Sequence, residues 1–234
     1  MTNIVIPVKN PSSAKQRLGD VLTPDQRREL ALAMLDHVVE QTSAAALPHH
    51  ILVVTDSAEI ESRVRPRGVS ILLEERARGE TEAVEEATRW SIRNEFERQL
   101  VIPADMPNLT SADIDTLLSE PAPKPSVVLS PAVGDDGTNA ILTSPPDAIT
   151  FRFGRRSFPD YVEQARRRNI ACKILRLPNL VLDLDSFEDV KQFLDQTTAM
   201  DGQVSNGTGM STVRPAAGPL FRLLSGWNLR ERVN

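Results

Sequence analysis

Short runs rich in Val, Ile and Leu alternate with segments whose apolar residues recur at helical spacing, and this alternation constrains the fold more than any other feature of the chain. Residues 3–8, 51–55, 69–73 and 100–103 read as strands in the first half, and 127–130, 139–143, 173–177 and 180–182 in the second. Helical patterns fall between them at 58–64, 80–98, 110–118 and 158–169. Another helix begins at Thr23-Pro24-Asp25-Gln26, where Thr23 caps, Pro24 suits the first helical position and Gln26 completes a capping box. Leu30, Met34, Leu35, Val38 and Val39 give that helix one buried face. Thr110 and Asp113 repeat the capping-box spacing, and Ser186 caps a last helix ending near residue 196. The pattern implies an α/β fold: one Rossmann-like domain with a mostly parallel sheet and helices on both faces. Ligands of such sheets bind beyond the carboxyl ends of the strands.

A chain of 234 residues favours one such domain over two. With 4% aromatic residues, its core must be built from Leu, Val, Ile and Ala. The proline-rich stretch 120–125 marks a surface connection. From about residue 197 to Thr212, Gly, Ser, Thr and Asn dominate. Residues 1–197 are therefore read as the folded domain and 198–234 as a flexible tail. Within that tail, Leu220, Phe221, Leu223, Leu224 and Trp227 leave two readings open for 219–229. It is either a short amphipathic helix docked on the body or a partner, or a disordered segment.

The net charge of −5 argues against a general nucleic-acid binder but leaves room for a local cationic pocket. Cys172, the single cysteine, excludes an internal disulfide, and with three histidines it gives no zinc-ligand spacing. The apolar run at the start is too short for a signal peptide, and no stretch approaches the roughly 20 apolar residues a membrane helix needs. The expected location is the cytoplasm.

Four segments carry chemistry. Lys9, Lys15 and Arg17 lie in the loop after the first strand, where an α/β fold presents its ligand, and cations there suit a polyphosphate. The competing reading is an ordinary solvated loop. In Pro103-Ala104-Asp105-Met106-Pro107 a carboxylate at a strand end is held between two prolines, suiting magnesium or, alternatively, capping the next turn. In Leu182-Asp183-Leu184-Asp185-Ser186, alternation on a strand would put Asp183 and Asp185 on one side, where they repel unless a cation sits between them. Asp185 serves equally as a helix cap with Ser186. Three such carboxylates can hold one or two magnesium ions over a triphosphate.

The fourth comprises residues 134–139 and 151–158. Gly137 and Gly154 permit close backbone approach to a ligand, and Ser157 opens a helix whose amide end favours an anion. Arg152, Arg155 and Arg156 either add positive charge or form a solvated loop. A phosphorylated acid fits such a pocket. Gly79-Glu80-Thr81-Glu82 opens a further helix, and its acids either line a base pocket or complement the helix dipole. His37, His49 and His50 form no catalytic constellation.

Taken in order, these segments resemble the CofC family, the 2-phospho-L-lactate and phosphoenolpyruvate guanylyltransferases of coenzyme F-420 biosynthesis. The likeness is carried by Pro7-Val8-Lys9 with Lys15, Arg17 and Leu18, by 103–107, by Gly137-Thr138-Asn139, by Phe151-Arg152-Phe153-Gly154 with Ser157-Phe158, and by 182–185. It spans roughly residues 4 to 196. The resemblance implies a single-domain nucleotidyltransferase fold related to sugar-nucleotide and molybdenum-cofactor transferases. It implies magnesium on Asp105, Asp183 and Asp185, and contacts from Thr138, Gly154 and Ser157 to the phosphorylated acid. Lys9, Lys15 and Gly79 are assigned to the nucleotide, and Lys9, Lys15 and Arg17 to catalysis. Where the family usually has Gly-Leu-Asn, this chain has Gly79-Glu80-Thr81, so the base contacts depart from the pattern.

The activity so implied joins a guanylyl group from GTP to a phosphorylated three-carbon acid, namely 2-phospho-L-lactate, phosphoenolpyruvate or 3-phosphoglycerate. Relatives also suggest a homodimer. The competing expectations are a nucleotidyltransferase acting on a sugar phosphate or molybdopterin, and a nucleotide-binding domain without turnover.

Overall fold

A computed structural model describes residues 1–121, 123–132, 136–204, 218–227 and 229. Seven strands form one sheet in the order β3-β2-β1-β4-β6-β5-β7. They are β1 (Thr2–Val8), β2 (His49–Thr55), β3 (Ser70–Leu73), β4 (Arg98–Val101), β5 (Ser126–Pro131), β6 (Thr138–Ser144) and β7 (Ala171–Ile174). Every neighbouring pair is parallel except those made by β6, which runs antiparallel to both β4 and β5. The expected mostly parallel sheet is what forms.

Helices α1 (Pro24–Ser43), α2 (Ala58–Val64) and α4 (Ser111–Ser119) cover one face of the sheet, and α3 (Glu80–Arg93) and α5 (Ser157–Arg167) the other. Successive strand residues point to opposite faces. Thus Ile4, Ile6 and Val53 pack with Leu35, Val38, Ile60 and Leu117. Val5, Leu52 and Val54, their neighbours in sequence, pack instead with Val84, Ala87 and Tyr161. Strands buried on both faces account for the continuous apolar runs in the sequence.

Both capping boxes form. Thr23 Oγ1 accepts from Gln26 N at 3.2 Å while Gln26 Oε1 accepts from Thr23 N at 3.1 Å. Asp113 Oδ2 likewise accepts from Thr110 N at 2.9 Å. Two expectations need correction. The helix expected over 80–98 stops at Arg93 because Asn94 turns its side-chain amide back onto the Trp90 carbonyl and Glu95 takes a left-handed backbone, φ 58°. Residues 180–182 are no strand: Pro178–Leu180 form a 3-10 turn, closed by Leu180 N donating to the Leu177 carbonyl. Pro178 has no N–H to give a sheet ladder.

The expected boundary at residue 197 falls inside α6 (Phe187–Val204), and Gly218–Gly226 form α7. The stretch 205–217, much of the expected tail, lies outside the described residues. Leu220 and Leu224 of α7 are buried with Leu22, Leu30 and Met34 of α1 and its approach, and with Phe193 of α6, in a third core. No helix among the described residues is long and apolar enough to cross a membrane.

Leu224 is fully buried. Leu224→Ala should therefore cost about 2–5 kcal/mol in urea denaturation, the usual range for a leucine truncated in a packed core. A loss under about 1 kcal/mol would show that α7 is not docked.

Candidate active site

The carboxyl ends of β1 to β4 open into a cleft of roughly 530 Å³, a size that suits a nucleotide-scale ligand. Across one end lies the loop from Lys9 to Thr23. It is stiffened by 3-10 turns at Pro11–Ser13 and Gln16–Leu18 and anchored by the buried side chains of Leu18 and Leu22. Lys15 stands between the turns with a left-handed backbone, φ 53°. That conformation is unfavourable for a lysine and persists only where its surroundings hold it. The restraint is visible in the side chain. The Lys15 side chain is 7% exposed, and its Nζ lies 2.8 Å from Asp105 Oδ2 and 2.7 Å from Asp185 Oδ1. Arg17, largely exposed, reaches to 3.9 Å of Asp185.

Oxygens of Asp105, Asp183 and Asp185 all lie within 4.8 Å of one another. Asp105 follows β4 directly. The segment carrying Asp183 and Asp185 is not a strand, yet Leu182 and Leu184 are buried while both aspartates face the cleft. The convergence expected from alternation is thus met by extended chain rather than sheet. Two tethers set its position: Leu184 N donates to the Asp105 carbonyl at 3.4 Å, and Asn139 Nδ2 donates to the Leu180 carbonyl at 2.8 Å. The helix-cap reading of Asp185 does not hold, since Asp189 Oδ2 accepts from Asp185 N and Ser186 N while Ser186 Oγ accepts from Asp189 N.

Electrostatics follow from this crowding. Burial, with the charges of Asp105 and Asp185, pushes the Asp183 carboxyl up to about 6. Burial also opposes ionisation of Asp185, but Lys15 outweighs it and holds that carboxyl below its usual value. Burial works to discharge Lys15, and the two carboxylates overcome it, raising its pKa well above the usual lysine value. Glu80, first residue of α3, is pushed up to about 7 by burial and by Asp105 and Asp185, with Lys9 and Lys15 pulling the other way.

The opposite wall comes from β6 and α5. Because β6 runs antiparallel to β4, its first residues, Thr138 and Asn139, lie at the edge where β4 ends. Ser157, first residue of α5, donates from Oγ to Thr138 Oγ1 at 3.1 Å. Gly154, φ 118°, turns the chain into that helix, and Ser157 N donates to its carbonyl at 3.1 Å. Phe153 N donates to Thr81 Oγ1 at 3.1 Å, tying this wall to the start of α3. There Gly79 has φ 107°, a conformation L side chains rarely adopt, and a Cβ would lie 3.1 Å from Glu82 Oε2.

The ten residues assigned to metal, catalysis, nucleotide or acid from the sequence all line this one cleft. They are Lys9, Lys15, Arg17, Gly79, Asp105, Thr138, Gly154, Ser157, Asp183 and Asp185. Glu80 joins them; Glu82 and the arginines 152, 155 and 156 do not. Gly134 and Asp135 lie outside the described residues. Sequence reasoning missed Asp56 and Glu74, which follow β2 and β3 and also line the cleft. The signal was present, since each is an acid directly after an apolar strand, as Asp105 is. His37 binds the Leu109 carbonyl and His50 binds Asn3 and Ser70, and neither lines the cleft.

The family model described as "Guanylyl transferase CofC like" matches residues 2–201. The chain belongs to this family. It is 43% identical over 190 residues to a 3-phospho-D-glycerate guanylyltransferase of Colwellia psychrerythraea, covering 81% of this chain and 90% of the relative. It is 34% identical over 209 residues to a phosphoenolpyruvate guanylyltransferase of Sphaerobacter thermophilus, covering 89% of this chain and 100% of the relative. Among solved structures, a candidate nucleotide-diphospho-sugar transferase of Desulfovibrio desulfuricans G20 superposes with a TM-score of 0.75, covering 99% of this chain and 97% of that one. At 17% identity, that match speaks for the fold alone.

Glu80 links this site to stability. An unfolded glutamate loses its proton near pH 4.5, whereas Glu80 in the folded protein keeps its proton until about pH 7. Between these values the folded state binds the proton that the unfolded state has lost, so stability falls as pH rises. In chelator, the melting temperature of Glu80→Gln relative to the wild type should climb by a few degrees from pH 5 to pH 7.5. Parallel melting curves across that range would refute the shift.

Proposed function

We propose that this CofC-family protein transfers a guanylyl group from GTP to the phosphate of a phosphorylated three-carbon acid, releasing pyrophosphate, as a step in coenzyme F-420 biosynthesis. The observation that carries it is Lys15, an ammonium held between Asp105 and Asp185 in a cleft that opposes this cationic loop to the Thr138–Ser157 hydroxyl pair. Among the three acids, 3-phospho-D-glycerate is favoured, because the 43% identical relative is named for it.

The donor set suits a hard divalent cation: three carboxylates converge within 4.8 Å, and a lysine ammonium already answers their charge. Asp105, Asp183 and Asp185 would hold magnesium, which supplies charge neutralisation at the reacting phosphates. Lys9, Lys15 and Arg17 steady the triphosphate and the leaving pyrophosphate. Gly79 admits the nucleotide backbone closely at the start of α3. Thr138, Gly154 and Ser157 seat the acid.

A phosphate oxygen of the acid attacks the α-phosphorus of GTP. A new phosphoanhydride forms, and the bond from the α-phosphorus to the bridging oxygen breaks. A phosphomonoester is mostly dianionic at neutral pH, since its second pKa is about 6. No proton has to be removed, in accord with histidines engaged elsewhere. Catalysis rests on positioning and charge neutralisation. The residues invoked all lie in 1–197, which we take as the transferase unit; a homodimer in the cytoplasm belongs to the same proposal and rests on the family resemblance.

Pyrophosphate release should require GTP, magnesium and one of the three acids, with 3-phospho-D-glycerate fastest and ATP, CTP and UTP inactive. Asp105→Asn should lower turnover at least about 100-fold while leaving the circular dichroism spectrum unchanged. Release with none of the acids, or near-normal turnover by the variant, would overturn the proposal.

A further inference from the structure

Glu74 follows β3 on the far side of β2 and β1 from the acidic cluster after β4. Its backbone is fixed by Glu74 N donating to the Thr55 carbonyl at 2.8 Å, which continues the β2–β3 pairing past the last strand residue. The side chain is 6% exposed and lines the cleft, yet Oε1 has no hydrogen-bond partner. The nearest cation is Arg78, half-exposed, whose Nη2 lies 3.7 Å from Oε1 and so beyond hydrogen-bond reach. A carboxylate withdrawn from water and left short of donors is costly. Accordingly burial, with Asp56, Glu86 and Glu82 adding to it against Arg78, raises its pKa above the usual carboxylate value.

The surroundings say what kind of donor is missing. Val54 and Ala83, small and apolar, are among the residues lining the same cleft, which leaves its floor there free of competing polar groups. Three strand spacings, about 14 Å, separate β3 from β4. A nucleoside 5′-phosphate spans a separation of that order once a hydrogen bond at its base edge and a bridging cation at its phosphate are added. With the α-phosphate at the acidic cluster, the base edge arrives at Glu74.

We propose that Glu74 selects guanine, its carboxylate accepting hydrogen bonds from N1–H and the 2-amino group of the base. The inference rests on the guanylyl-transfer reading above and extends it to a residue that reading does not use. Guanine offers two donors on one edge, which a carboxylate matches. Adenine offers an acceptor at N1, and the pyrimidines present a smaller ring. Rotation about the last side-chain torsion of a glutamate is soft, so turning both oxygens toward the base costs little. Arg78 then acts as an outer neighbour of the carboxylate rather than as its partner.

The proposal has a chemical signature. Glu74→Gln replaces one acceptor oxygen by a donor, which opposes the 2-amino group of guanine but matches the 2-oxo group of xanthine. In pyrophosphate release with GTP, ITP and XTP, the variant should raise KM for GTP roughly 10- to 100-fold. Its kcat at saturating GTP should stay within about 3-fold, and XTP should become the better substrate. The wild type should discriminate against ITP, which lacks the 2-amino group. Arg78→Met serves as the second variant and should leave the GTP-to-XTP preference unchanged. Calorimetric binding of GDP and XDP, run in parallel, reads base selection without chemistry. A reversed GDP-to-XDP preference in Glu74→Gln would support guanine selection even if no acid were turned over, which would count against the transfer reading alone. An unchanged base preference in Glu74→Gln, or equal shifts in Glu74→Gln and Arg78→Met, would overturn the role assigned to Glu74.

Discussion

Three carboxylates cannot be brought together in a half-buried cleft without a cation to answer them. In this protein Lys15 gives that answer through two short ion pairs, and the geometry of the site depends on them. They join three parts of the chain distant in sequence: the loop after β1, the end of β4 and the extended segment before α6. They also hold Lys15 in a backbone conformation a lysine seldom adopts. Because Lys15 is buried, losing one partner would leave its charge only partly answered, which costs more than losing a surface pair.

Second to this is the reversal of β6. A purely parallel sheet would deliver only the residues that follow its strands. The antiparallel strand between β4 and β5 instead delivers its first residues, so Thr138 meets Ser157 across from Asp105. The cleft thereby acquires two chemically different walls, one cationic and one of hydroxyls and left-handed glycine backbone.

The layer arrangement was legible in the sequence because burial on both faces leaves continuous apolar runs, and capping boxes leave fixed spacings such as Thr23 with Gln26. The candidate site was legible where side-chain chemistry coincides with a strand end, as at Asp105, or with charge repeated along one segment, as at Lys15 with Arg17 and at Asp183 with Asp185. Strand direction leaves no such trace: nothing in 138–144 distinguishes an antiparallel strand from a parallel one. Asp183 and Asp185 were placed correctly by a two-residue period although no strand underlies them, since extended chain has that period whether or not it is paired. The end of α3 was overrun because Phe96 continues the apolar spacing past Glu95, whose left-handed backbone breaks the helix. Glu74 escaped notice because one acid after a four-residue strand is unremarkable until its burial and missing donor are seen.

The packing of α7 on α1 separates two properties that sequence alone runs together. Every residue given a role in the proposed chemistry precedes residue 197. Yet Leu22, Leu30 and Met34 share their cover with Leu220 and Leu224, which come after it. A chain cut at residue 197 would turn part of that leucine-rich strip to water, and exposed strips of this kind drive self-association. The span that carries the proposed chemistry and the span that keeps the third core covered are therefore of different lengths.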